Sequence, residues 1–123
     1  MYNIPFSNIT LNHINGDWLV ESRQLSTSDP TASIAHAIKF IFAADDYLEL
    51  LPEGEGSWAL KTEETMNRPY LLIEVFNESW KALITRLFIN TDTRYTYLNL
   101  YFDTGMELTL VKFNNKYTDF GLN

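Results

Sequence analysis

The chain contains no cysteine, only two histidines, and nine basic residues against sixteen acidic ones. Without cysteine there is no disulfide framework, no thiolate nucleophile and no zinc site built on sulfur. No stretch approaches the roughly 18 uncharged apolar residues that a spanning helix needs, so no membrane span is expected. A formal net charge of −7 with no basic cluster is the wrong sign for phosphate backbones, so no nucleic-acid partner is expected. The same sign disfavours an anionic membrane surface and suits solubility. His-x-His and His-Glu-x-x-His spacings are missing, as are an Asp-rich calcium loop and a glycine-rich phosphate loop. No metal, no cofactor and no catalytic residue is therefore expected. The start, Met1-Tyr2-Asn3-Ile4-Pro5-Phe6, lacks a charged segment leading into an apolar run, so no signal peptide is expected. As written, this implies the cytoplasm; a trimmed chain with an added Met1 would read the same and would belong to the periplasm or outside the cell.

Apolar residues are plentiful, at 46%, with 15% aromatic. At 123 residues, one domain covering 1–123 is the natural count, with material for a real core. Apolar or alternating runs of strand length recur between turn signals: 17–23, 37–42, 47–51, 57–62, 70–76, 80–89, 95–102 and 106–113. The separators carry turn chemistry: Ala43-Ala44-Asp45-Asp46, Pro52 with Gly54 and Gly56, Asn67-Arg68-Pro69, Asn77-Glu78-Ser79, Asn90-Thr91-Asp92-Thr93 and Asp103-Thr104-Gly105. Eight strands joined almost entirely by tight turns predict an all-β, antiparallel up-and-down meander. Closing it into a barrel hides both edges; a two-sheet sandwich is the rival arrangement. Residues 24–36 form the one long connection, with Pro30 and a predicted helical turn through Ile34-Ala35-His36. Residues 3–15 precede the first strand and are expected to hold a short helix or 3₁₀ turn.

Alternation assigns one buried face. Ile38, Phe40 and Phe42 share a side, as do Leu71, Ile73 and Val75, Leu98, Leu100 and Phe102, and Leu108 and Leu110. The run 80–89 is ambiguous, with apolar residues on both faces.

Gly16-Asp17-Trp18 opens the first strand after a short N-terminal segment, and resembles the Gly-x-Trp signature of lipocalins. The strand count, the long connection between the first and second strands, and Asn90-Thr91-Asp92 followed by Tyr95 resemble that family too. So does Lys112, near the end of the last strand, where lipocalins usually place an arginine that stacks on the first-strand tryptophan. Independently of any family, the last strand of a closed meander neighbours the first, and Lys112 has the inward parity of Leu108 and Leu110. Its stem could lie over the Trp18 indole with the ammonium on backbone carbonyls; the alternative is a solvated lysine at a strand end. The resemblance spans 14–113 and is best to compact bacterial lipocalin-like domains of the calycin superfamily. Its departures are the missing cysteines, the shorter length, and a C-terminal helix reduced to a tail through Tyr117 and Phe120.

The resemblance implies a binding and transport protein for a small hydrophobic ligand held inside the barrel under the 24–36 connection. The expected lining is Phe40, Phe42, Leu48, Leu50, Trp58, Leu60, Leu71, Ile73, Val75, Leu98, Leu100 and Phe102, with Gly16, Trp18 and Lys112 closing the barrel. An eight-stranded barrel is only just wide enough to be filled by its own side chains or to hold one small ligand, so a filled core stays open as the alternative. Glu74 and Arg86 are either an internal pair that orients a ligand's polar head or two solvated charges. Tyr70, Tyr95, Tyr97 and Tyr101 form an outward aromatic stripe, and homodimerisation through Tyr95, Tyr97 and Tyr101 is an alternative role. Enzymatic signals are thin. Ser33 and His36 on the long connection are the nearest approach to a nucleophile and base, and Ser22 and Thr62 are the inward hydroxyls a barrel isomerase or chromophore lyase would need.

Overall fold

The computed structural model describes residues 1–26 and 33–113. Among these, a two-residue strand β1 (Tyr2–Asn3) precedes a 3₁₀ turn at Phe6–Asn8 and a one-turn helix α1 (Leu11–Ile14). Then come β2 (Gly16–Gln24), helical turn α2 (Ser33–His36), β3 (Lys39–Phe42), β4 (Tyr47–Leu51) and β5 (Glu55–Thr62). The chain continues through β6 (Pro69–Val75), β7 (Glu78–Ile89), β8 (Thr96–Phe102) and β9 (Glu107–Lys112). From β2 to β9 each strand pairs antiparallel with the next, and β9 returns to pair with β2 through Leu19–Val111 and Val20–Leu110. The sheet is a closed eight-stranded barrel and not a sandwich, with β1 laid on the β7 edge through Tyr2–Ile89 and Asn3–Phe88. Closure leaves none of the eight strands with an open edge along its paired length. The helical turn expected at Ile34-Ala35-His36 is α2, and the N-terminal turns also form as expected. The tail through Tyr117 and Phe120, and Pro30, lie outside the described residues.

Alternation holds on β4, β6, β8 and β9, whose inward rows form one continuous core. Two bulges break it. In β2 the register shifts between Val20 and Ser22, so Glu21 is the extra residue. In β7 it shifts between Ile84 and Arg86, with Thr85 extra. A bulge moves every later side chain to the other face. Along β7, Trp80, Ala82 and Ile84 are therefore inward before it, and Leu87 is inward after it, which accounts for the two-faced pattern of the run. Along β2, Ser22 pairs with outward Thr109, and Arg23 pairs with inward Leu108. This corrects the expectation that Ser22 faces inside. Ile38 is corrected as well: it lies ahead of β3 at the barrel lip and is 60% exposed, although its parity matches Phe40.

Candidate functional site

One end of the barrel, here the lower, gathers the N-terminal segment and the β3–β4, β5–β6 and β7–β8 turns. The upper end gathers the β2–β3 connection and the turns after β4, β6 and β8. The lower end is closed by specific polar contacts. Trp18 is fully buried and its Nε1 donates to the Ile14 carbonyl at 2.7 Å. The Lys112 ammonium stands 4.8 Å from the Trp18 ring and donates to the carbonyls of His13 and Asn15, each at 2.9 Å. Lys112 is thus the stacked cation and not a solvated strand end. Gly16, at φ 135°, is needed here, because a Cβ would stand 2.9 Å from Lys112 Cδ and L side chains rarely adopt that backbone. Helix α1 is fixed by a capping box in which the Thr10 amide donates to His13 Nδ1 at 3.0 Å. Burial, and then the nearby Lys112 charge, lower the His13 pKa below its ordinary 6.5.

The barrel interior holds the side chains expected there. Phe40, Phe42, Leu48, Leu71, Ile73, Leu98 and Phe102 expose none of their surface, and Leu50, Leu100 and Val75 expose 1%. Trp58 is buried edge-on against Phe42 at 5.2 Å, with its Nε1 donating to the Ala43 carbonyl at 2.9 Å; Leu60 is half-buried against the same core. Side chains with no exposed surface leave no water-sized space beside them, so in this conformation they pack against one another.

The upper end is closed differently. Helix α2 contributes Ile34 and Ala35, which are fully buried in the core cluster of the barrel. Beneath it, Arg23 Nη2 donates to the Ala37 carbonyl in a very short contact, while its Nε is buried with no hydrogen-bond partner. Desolvation lowers the Arg23 pKa. Ser33 Oγ in α2 and Thr104 Oγ1 in the β8–β9 turn are likewise buried without partners. Arg68 Nε in the β5–β6 turn and Asn99 Oδ1 on β8 are unpartnered too, so three of the five such atoms among the described residues gather at the upper end; buried polar atoms are nearly always paired, and that grouping calls for an explanation. Alternation counted from Trp18 puts Arg23 outside, and only the β2 bulge turns it in; a charged residue ending an otherwise exposed run carries no signal of that. Since Ser33 Oγ has no partner, it makes no hydrogen bond to His36, which faces solvent. Thr62 is exposed.

Glu74 and Arg86 are not an internal pair. Glu74 points out and accepts from Ser57 Oγ at 3.3 Å and Ser79 Oγ at 3.0 Å. Arg86 donates to Asn3 Oδ1 at 2.9 Å and lies 4.1 Å from the Phe88 ring. On the outside of the barrel the register aligns Phe88, Tyr97, Val111 and Leu19 in one row across β7, β8, β9 and β2, of which Phe88 and Val111 are buried and Leu19 is exposed. Phe88 and Tyr97 stack at 5.0 Å, and Tyr95 meets Phe113 edge-on at 4.6 Å one row below. Tyr101 is exposed four residues beyond Tyr97 on the same outward side.

Among the described residues, no three His, Asp or Glu side chains are grouped to hold a metal ion, and no helix is long and apolar enough to cross a membrane. Comparison with protein-family models, with curated proteins and with solved structures finds no match to this chain. The fold and the two barrel ends therefore carry the functional reading by themselves.

Proposed function

We propose that this chain is a non-catalytic, lipocalin-like binding protein that takes a small apolar ligand into the upper mouth of the barrel, where Ile34 and Ala35 now sit. The observation that carries this reading is the asymmetry of the ends. The lower end is bolted by Trp18, Lys112 and backbone carbonyls. At the upper end a one-turn helix, α2, buries Ile34 and Ala35 in the core cluster, at the end that also holds the unpartnered Arg23 Nε, Ser33 Oγ and Thr104 Oγ1. A four-residue helix has almost no stability of its own, so its docking must come from what it buries, and a ligand offering similar apolar surface competes with it directly. The deeper row from Phe40 to Phe102 then forms the floor of the site. The Gly16-x-Trp18 start and the Lys112 stack, shared with lipocalins, support the same reading.

The test is a titration with a polarity-sensitive apolar dye, followed by energy transfer from tryptophan, on the wild type and on Ile34→Ala and Ile34→Trp. Saturable one-to-one binding that tightens in Ile34→Ala and weakens in Ile34→Trp supports the reading. Binding indifferent to residue 34 contradicts it.

A second reading is carried by the outward residues that remain accessible on this side, Leu19, Tyr95 and Tyr101, with Tyr97 half-buried among them. Exposed tyrosines on a barrel whose interior is packed suit a protein that docks a second copy of itself through this face.

A further inference from the structure

We infer that the ligand of the upper mouth carries a negative charge, a carboxylate or a chemically similar anion, and that Arg23 is the residue that binds it. The inference rests on the binding reading above and adds to it the chemical class of the head group.

Arg23 is the inward-facing cation of the upper end, placed there by the bulge at Glu21 and by its pairing with Leu108. A guanidinium offers five donors in a planar fork suited to a carboxylate. Here Nη2 donates to the Ala37 carbonyl, and Nε is buried with nothing to accept its hydrogen. Among the described residues the ion pairs are Lys39–Asp17 and Lys81–Glu63, and Arg23 belongs to neither. Its cross-strand neighbours give no carboxylate on its own face: Leu108 is opposite, and Glu107 pairs with Gln24 on the outer side. Taking a charge partly out of water without a counter-charge is costly, and desolvation already disfavours the charged form of Arg23. An anion seated on the Nε edge removes that cost. Ser33 Oγ and Thr104 Oγ1, buried and unpartnered at the same end, are hydroxyl donors available to the same head group. Ala37, whose carbonyl Arg23 holds, directly follows α2, so an anion that draws the guanidinium away also loosens the base of the plug. Head-group recognition and plug release are thus coupled through one side chain.

The test uses two nearly isosteric ligands, 2-naphthoate and 2-naphthamide, titrated calorimetrically into the full chain at fixed ionic strength. The expected result is naphthoate binding tighter by about tenfold or more, the scale of a charge-assisted hydrogen bond. That advantage should vanish in Arg23→Met and survive in part in Arg23→Lys. Equal binding of the two ligands by the wild type would overturn the anion inference while leaving the mouth reading intact. An advantage for naphthoate that persists in Arg23→Met would also overturn it. Binding of neither ligand at about 1 mM, a level where even ~4 kcal/mol of affinity registers, would overturn both. The wild-type comparison stands even if a variant fails to fold.

Discussion

At the scale of single residues, the lower end shows how few side chains hold the barrel shut. Lys112 is the only described donor to the carbonyls of His13 and Asn15, and its stem crosses the Trp18 ring. Lys112→Met keeps the stem and removes the donor, leaving two carbonyls unsatisfied, and should cost about 2 kcal/mol in urea unfolding. His13 gives this end a pH dependence. Its folded pKa is lowered, so between that value and 6.5 the unfolded chain binds a proton that the folded chain does not. Stability from this group is fully present above pH 6.5 and is lost as pH falls through the folded pKa. Protonation also puts a hydrogen on Nδ1, where the Thr10 amide now donates. Unfolding curves between pH 7.5 and 5 should show the stability advantage of wild type over His13→Gln shrinking with acid; a constant difference would mean His13 is not coupled to the fold. Gly16 and Trp18 were legible through the resemblance of Gly16-Asp17-Trp18 to the lipocalin start, and the contact of Lys112 with Trp18 because a closed meander brings first and last strands together. Arg23 was not legible, because its inward direction depends on one extra residue in β2.

At the scale of elements, alternation read the strands well wherever the ladder is regular and failed at the two bulges. Nothing in Val20-Glu21-Ser22 or Ile84-Thr85-Arg86 announces an inserted residue by composition, whereas the doubly apolar pattern of β7 is its trace. The β6–β7 turn shows a local conflict of another kind. Phe76 and Asn77 adopt φ of 54° and 67°, the two-residue turn geometry that favours Asn and Gly, yet the first position holds an exposed phenylalanine. Relieving that strain in Phe76→Asn should raise stability by roughly 1 kcal/mol, seen as a higher urea midpoint with an unchanged slope. At the β5–β6 crossing, by contrast, a Cβ on Gly56 would stand 1.8 Å from the Glu74 carbonyl oxygen, backbone that has no room to yield. The same end of the barrel thus tolerates change at one turn and forbids it a few residues away. Helix α2 was readable as a helical turn in the long connection; that Ile34 and Ala35 would plug the mouth was not, since nothing local distinguishes a plug from a surface turn.

At the scale of the whole molecule, strand number, order and antiparallel pairing follow from turn chemistry and from the need to hide strand edges. The balance between an open and a filled interior does not follow from either, because it is a matter of side-chain volume summed over eight strands. The inward rows proved mutually packed, which moves the proposed binding place from the deep barrel to its upper mouth. It also sharpens the contrast with the outer face of Leu19, Tyr95, Tyr97 and Tyr101, where a second copy would dock. If that face were the working surface, Tyr97→Glu should convert a concentration-dependent dimer to a monomer in sedimentation velocity without altering naphthoate binding. Where the ligand sits is therefore the deciding question, and methyl and amide NMR spectra recorded while the chain is titrated with 2-naphthoate answer it. The account predicts saturable shifts at Ile34, Ala35, Ala37 and Leu108 and at the Arg23 guanidinium, with Val111 and Leu19 undisturbed. Shifts confined to Val111, Leu19 and their neighbours, or none at all, would contradict it.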